Sequence, residues 1–514
     1  MHPHFSRFPN PILLILCLLI FPGLSGAEET LPFTGKLTLL EAVRHTVAHE
    51  TTIKIEENQV NISLGALQIA SGQFDLTLGT ELKSEEDDEP FSELDAIAIG
   101  HAHQQTRTYS LSQSVSKAFR YGTSLETSIG VERSDNRYPA DTANTDNGVI
   151  AFSLTQPLFK GRGLDATGAD EASRQEAYLA EQYTLRQTVS QQIYETVTAY
   201  WNYRGAQEKM IVLEASKINI EKSIEELKEL IDGGEKPASD LNHYLATLAT
   251  REVDLLSARQ ELFSSAQILA VAMGIPYTQN EEFPSASEDY PTPDISDLSP
   301  PPQWLTDVAL TSRSDLRAAE KNLAAAKYLL GAAQNGMLPQ LDLSLEIKHS
   351  DVVKGDLDQN ATSASAWLNY EIPVGNNVAS GQMITARSEY NQIRYQIEGL
   401  KRSIWSQVKK SVDALTTSCH IRKQYETSLN LDKQRVKEEK IQYTLGTSNL
   451  VIVIAVEDSL TDTQINLIDS RVNVANALIR LRYATGTILP PEQTEYQLSR
   501  NFLTTVPQNL FNLK

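Results

Sequence analysis

Histidines, cysteines and clustered acids are where chemistry would be sought in this chain, and none of them assembles a reactive set. His101-x-His103 is an isolated pair on a polar loop, without the further ligands a metal site requires. Cys17 falls in an N-terminal apolar run. Cys419 stands alone in the mature chain, where a small apolar residue at a helix seam is the better reading than a nucleophile. There is no Gly-x-Ser-x-Gly, no phosphate loop and no Cys-x-x-Cys. Paired acids sit on helical faces and loops as solvated surface. The Lys409-Lys410 and Arg422-Lys423 clusters read as outward faces of a long helix. No cofactor, no metal and no enzymatic activity is expected.

Polar residues do occupy informative positions in the helices. From Leu460 the run Leu460, Gln464, Leu467, Arg471, Val474, Leu478, Leu481 alternates steps of four and three, a heptad seam. Gln464 and Arg471 on that seam suit a helix whose inner side meets water. Tyr390, Ile393, Ile397, Leu400, Ile404, Val408 steps almost as regularly. So do Val189, Ile193, Val197, Tyr200 and, further on, Ile220, Ile224, Leu227, Ile231. Helix 170–231 is about 62 residues, or roughly 93 Å, and helix 386–445 about 60 residues, or roughly 90 Å. Shorter helices are expected at Thr38–Ser71 and Ser239–Met273, and again at Gln303–Asn335 and Asn449–Thr485. Each short pair sums to about the length of its long helix. Helices this long must pack side by side.

Between the helices lie segments of period-2 alternation. Leu341, Leu343, Leu345 and Ile347 face one way, and Asp342, Ser344, Glu346 and Lys348 the other. Phe74-Leu76-Leu78, Tyr109-Leu111-Val115, Leu125-Ile129-Val131, Ile150-Phe152-Leu154 and Ala366-Leu368-Tyr370-Ile372 complete six strands of about ten residues. Length and pattern fit a tilted transmembrane barrel with a polar lumen; a soluble two-sided sheet alternates too, but the signal peptide, the missing transmembrane helix and the long helices favour the barrel. The acidic run Glu85–Glu89 and the stretch Ser134–Asn147 read as long loops on one side, and Lys117–Gly122 as a short connection on the other.

The termini and composition agree. Arg7, the apolar run Ile12–Phe21 and Ser25-Gly26-Ala27 form a signal peptide over residues 1–27, with cleavage expected after Ala27. No later segment is apolar for long enough to span a bilayer as a helix. Net charge is −21, and removal of one Arg and no acid with residues 1–27 makes it −22. Such acidity argues against nucleic acid.

The largest pattern is a duplication. Repeat 1, residues 28–279, reads as helix, strands 73–157, long helix 170–231 and helix 239–273. After a Pro- and Ser-rich linker, 280–302, repeat 2 (303–488) reads as helix, strands 341–372, long helix 386–445 and helix 449–485, before a tail, 489–514. Repeat 1 leaves its strands through Phe152-Ser-Leu-Thr-Gln-Pro157-Leu-Phe-Lys-Gly161, and repeat 2 through Trp367-Leu-Asn-Tyr-Glu-Ile-Pro373-Val-Gly375. Tyr443-Thr-Leu-Gly446-Thr and Gly234-Glu-Lys-Pro-Ala-Ser-Asp240-Leu mark the two helical turns.

On these features, over roughly residues 39–489, the chain resembles the TolC family of trimeric outer-membrane factors of efflux pumps and type I secretion. The resemblance implies an α+β membrane protein: a homotrimer with a β-barrel in the outer membrane of a Gram-negative cell and a long α-helical barrel in the periplasm. It implies a periplasmic adaptor (membrane fusion protein) and an inner-membrane transporter as partners, besides outer-membrane lipid. Adaptor docking is expected at the hairpin turns Gly234, Ser239, Gly446 and Thr447. In gated members the turn Tyr pairs with an Asp of the other hairpin, places filled here by Tyr443 and Asp240. Two departures change the gate chemistry: Ser448 stands where an Arg is expected, and Ile452 where an aspartate ring is expected, with acids only at Glu457 and Asp458. Three chains give twelve strands, the family norm, if the flanking strands alone insert, and eighteen if the hairpin 106–133 joins them. The expected function is a passive exit duct, with a coiled-coil structural or surface protein as the alternative. The cargo is not specified.

Overall fold

The computed structural model describes residues 35–100, 102–137, 144–276, 283–296, 298, 302–354, 357–490 and 498–507. The signal-peptide segment, His101 and parts of the linker and tail therefore lie outside the described residues. In repeat 1 the order is β1 (Lys36–Leu37), α1 (Leu39–His49), α2 (Thr51–Gly72), β2 (Leu76–Pro90), α3 (Glu93–Ile99), β3 (His103–Ala118), β4 (Ser124–Arg137), β5 (Asn144–Pro157), α4 (Leu164–Thr167), α5 (Ala169–Asp232) and α6 (Ser239–Ala272). Then follow β6 (Ser285–Ala286), α7 (Gln303–Ser312), α8 (Ser314–Gly336), β7 (Gln340–Lys354), β8 (Leu357–Glu371), α9 (Asn377–Thr444), α10 (Leu450–Ala484) and α11 (Arg500–Thr504).

The long helices α5 and α9 have 64 and 68 residues, or roughly 96 and 102 Å at 1.5 Å per residue. α9 begins at Asn377, nine residues before the expected start, because nothing after Pro373-Val-Gly375 interrupts it. The segments read as single helices at 38–71 and 303–335 are each broken once. The breaks are Glu50 (φ −64°, ψ 126°) and Arg313 (φ −69°, ψ 123°), extended residues at matching places in the two repeats. Each break receives the glycine that ends the hairpin's return helix. A Cβ on Gly274 (φ +71°) would lie 3.1 Å from the His49 carbonyl oxygen, and one on Gly486 (φ +68°) 2.9 Å from the Arg313 nitrogen. A left-handed residue without a side chain is the one that fits both places.

Around the first of these breaks lies the main core. Leu37, Leu39, Ile53, Ile193, Tyr200, Trp201, Leu269 and Met273 are sealed from solvent. The expected linker contributes to it rather than merely connecting: β6 pairs in parallel with β1, and Phe283 and Tyr290 pack on the core. The tail does likewise, since buried Arg482 donates to the Thr505 carbonyl at 2.5 Å and to the Val506 carbonyl at 3.3 Å.

The six long strands form one antiparallel sheet in the order β2-β3-β4-β5-β7-β8. The hairpin 106–133 is thus an integral part of the sheet, and each chain holds six strands where the twelve-strand expectation needs four. Strands run 14 to 16 residues, not ten. The acids Glu85–Glu89 and both ends of Ser134–Asn147, expected in loops, are strand residues, as in the pair Glu86↔Arg107. They tolerate the ladder because they sit beyond the apolar band, where strands project into water and charge carries little desolvation cost.

Candidate functional site

The ends of the α5–α6 and α9–α10 hairpins carry the residues expected to dock and gate. Both turns are built by the same backbone motif. Glu235 donates to the Leu230 carbonyl at 2.8 Å around Gly234 (φ +75°), and Thr447 to the Gln442 carbonyl at 3.0 Å around Gly446 (φ +74°). These bonds satisfy carbonyls that a helix end leaves open. Asn449 then starts α10 by accepting from the Ile452 N–H at 3.1 Å. Gly234, Ser239, Gly446 and Thr447 are all exposed.

Behind the turns, Ile220, Ile224 and Leu227 of α5, Tyr244 of α6 and Leu450 of α10 make a small core, with Tyr443 against its edge. The structure does not join Tyr443 to Asp240. The Tyr443 hydroxyl is buried without a hydrogen-bond partner among the described residues. Asp240 is the first-turn acid of α6, its own N–H bonded to the Pro237 carbonyl at 3.1 Å. What meets Tyr443 is Lys236, whose ammonium lies 4.0 Å from the ring centroid. At Ser448, where the resemblance expects an arginine, the hydroxyl donates to Glu439. Lys440 and Glu457 bridge α9 and α10 at 2.5 Å. Burial and the Glu457 charge push the Tyr244 phenol up to about 12.

One turn or two deeper, the hairpins are tied by charge. Arg251 of α6 is buried and donates to Asp458 of α10 at 2.8 Å and to Asp254 at 3.2 Å. Burial raises the Asp458 carboxyl above the usual range; Arg251 opposes this, and Asp462 and Asp254 add to it. Lys209 of α5 likewise spans Glu261 at 3.2 Å and Asp469 at 2.8 Å. Sequence reasoning missed Lys236 and Arg251. The signal for Arg251 was present, since Tyr244, Leu248, Arg251 and Leu255 step four, three, four along a seam. Lys236 gave no such signal, being one cation in a polar turn. Gln464 and Arg471 line a hollow of about 230 Å³ between α5, α9 and α10. Cys419 is a buried seam residue.

Among the described residues no group of three His, Cys, Asp or Glu is placed to hold a metal ion. The tips are two capped turns joined by a cation–π contact and by ion pairs that cross between the hairpins.

Residues 305–487 match the family model for the outer membrane efflux protein. The chain is 20% identical to the protease secretion protein PrtF of Dickeya chrysanthemi over 58% of its own length and 64% of that protein. It is 22% identical to the outer membrane protein TolC of Escherichia coli over 68% of its length and 71% of TolC. It thus spans just under two thirds of the first relative and somewhat more of the second. Among solved structures, the outer membrane protein VceC of Vibrio cholerae superposes with a TM-score of 0.61 at 16% identity, covering 87% of this chain and 96% of VceC. CusC gives 0.62 at 14% identity, over 87% and 92%.

Proposed function

We propose that this chain, whose residues 305–487 match the outer membrane efflux protein family, belongs to that family, and that three copies of it close into one duct across the outer membrane and periplasm. It serves as the passive exit channel of a tripartite efflux or secretion system. The observation that carries this reading is a coincidence of edges. The sheet is open at β2 and β8. The helical layer beneath runs α2-α5-α8-α9, so it is open at α2 and α9. α2 leads into β2 and β8 leads into α9, so a second copy extends both layers at once. Such a head-to-tail contact closes as a ring. An open sheet edge is untenable in lipid, which makes closure obligatory.

Both edges carry unpartnered apolar groups. Ile55, Ile62 and Ile69 recur every seven residues on exposed α2, and Ile384, Tyr395 and Trp405 stand out from α9. On the sheet, Leu78, Leu82 and Leu368 are 71%, 79% and 64% exposed. The serines of β3 on the opposite face are half-buried, as on the concave side of a curved sheet. A convex apolar face suits lipid, and a concave polar one suits a water-filled lumen. A coiled-coil surface protein has no use for such a sheet.

With six strands from each copy the barrel has eighteen. The helical tips are the closable end, held by Lys236, Tyr443, Arg251 and Asp458, with Asp240 supporting the start of α6. A periplasmic adaptor docks on the exposed turns at Gly234, Ser239, Gly446 and Thr447, and an inner-membrane transporter supplies cargo and energy. The test is purification in mild detergent followed by native mass measurement and planar-bilayer recording. A mass of three chains and discrete conductance steps are expected. A stable monomer with an intact β-sheet signal overturns the reading.

A further inference from the structure

Given closure of three copies into one duct, we propose that the hairpin of β3 and β4 sets its bore. The hairpin holds the strand section as wide as the helical section, so that a solute about 20 Å across passes both.

Where the two layers meet, one copy presents four helices, α2, α5, α8 and α9, to six strands. Helix axes pack about 8–10 Å apart, so four helices occupy roughly 36 Å of circumference. Strands about 4.8 Å apart and tilted by about 40° take roughly 6 Å each, so six occupy roughly 37 Å. Without β3 and β4 the remaining four would occupy roughly 25 Å, and the barrel would narrow where it leaves the helices. The hairpin is also fastened at that junction. The Arg120 guanidinium donates to both carboxylate oxygens of Glu171 on α5 at 2.6 Å, and the Gly163 N–H donates to the Tyr121 carbonyl at 3.0 Å. Gly122 (φ +96°) lies so close to the loop leaving β5 that a Cβ on it would stand 2.2 Å from the Gly161 carbonyl oxygen. The β3–β4 turn is therefore part of the seat on which the sheet stands.

The concave face keeps that width clear. One of its rows joins Gly79, Ser114, Ser128, Ala151, Lys348 and Ser363 across all six strands, and five of these side chains are no larger than serine. The next row toward the helices joins Thr77, Ser116, Glu126, Ser153, Glu346 and Ser365, so its bulk is two flexible carboxylate arms. Between these rows, the convex face carries Leu78, Val115, Phe152 and Ile347. Small side chains are thus confined to the side that lines the lumen. Eighteen strands at this tilt enclose a backbone circle of roughly 18 Å radius, which small side chains reduce to a clear bore of roughly 25 Å. Twelve would enclose roughly 12 Å and leave a bore of roughly 14 Å. The wider bore exceeds what an ion or one extended chain needs and fits a coiled polymer or a folded hairpin.

The test is polymer exclusion in planar-bilayer recordings of the full chain. Polyethylene glycols of graded size are added on the strand side alone, so that they report the barrel and not the helical tips. Single-channel conductance is expected to fall with polymers up to about 20 Å across and to be untouched by wider ones. A variant lacking residues 93–137, which joins β2 to β5 directly, is expected to lower that cutoff to about 14 Å. Ser128→Tyr with Ser363→Tyr keeps every strand, places rings in the lumen and is expected to lower the cutoff by about 5 Å. Thr127→Tyr, on the convex face between Val115 and Phe152, leaves the cutoff unchanged. A parent cutoff of about 14 Å or less, or an unchanged cutoff in the double tyrosine variant, overturns the proposal. Absence of any conductance step in the parent would instead overturn the duct assignment.

Discussion

The ammonium of Lys236 lies 4.0 Å from the centroid of the Tyr443 ring, tying the turn of one hairpin to the last turn of the other repeat's long helix. A contact of this kind contributes about 0.5–1 kcal/mol where exposed and more where water is excluded. Repeated around the proposed ring of three copies, it would bias the tips toward closure. Lys236→Ala is therefore expected to raise open probability in single-channel records. Tyr443→Phe removes a hydroxyl that has no hydrogen-bond partner among the described residues and keeps the ring, so its records match the parent. A large effect of Tyr443→Phe with none from Lys236→Ala would restore the phenol to Asp240.

Arg251 is the buried member of the bridge to Asp458. Arg251→Met leaves a half-buried carboxylate without its partner and is expected to destabilise the tips by about 1–3 kcal/mol. Denaturant unfolding of the purified protein followed by far-ultraviolet dichroism reads this directly. Asp458→Asn removes the same bridge and leaves the buried Arg251 guanidinium with Asp254 alone, and the double variant costs less than the sum of the singles.

Asp458 also sets a pH dependence. Its folded-state carboxyl is raised above the ordinary value of 3.8, chiefly by burial. In the window between that value and the raised one the folded state binds more protons than the unfolded state, so this group's contribution falls as pH rises. Melting temperature measured on either side of the window should show that slope in the parent. Asp458→Asn should flatten it.

Gly486→Ala and Gly274→Ala strike the two helix breaks. At Gly486 a Cβ meets Arg313 nitrogen at 2.9 Å and Arg313 Cα at 3.0 Å, and φ is positive. At Gly274 the nearest atom is 3.1 Å away. Both are expected to destabilise by about 1–3 kcal/mol, Gly486 more. Gly65→Ala within α2, where nothing lies within 4 Å, should stabilise slightly. Urea midpoints of the three variants give the order.

The repeats, the long helices and the alternating strands were legible because their signal is periodic and long. Leu460 to Leu481 and Leu341 to Ile347 each repeat a period several times over, which local exceptions cannot mask. The breaks at Glu50 and Arg313 were not legible, because they are imposed by glycines more than 170 residues away, Gly274 and Gly486. The strand ends were misjudged for a different reason. Glu85–Glu89 is a poor strand sequence in isolation, and only its pairing with Gln104–Thr108 holds it there. At the tips, the family resemblance marked Tyr443 and Asp240. Which neighbour each side chain meets depends on the packing angle of two hairpins, which no local pattern encodes.

Closure of six-stranded sheets into one barrel is the claim on which the rest depends, and imaging the purified complex by electron microscopy in lipid nanodiscs tests it most directly. The account predicts three copies and eighteen strands around a single lumen, with β2 of each copy beside β8 of the next and the hairpin of β3 and β4 in the wall. A wall of twelve strands with that hairpin outside it, or a ring with a different number of copies, would contradict it.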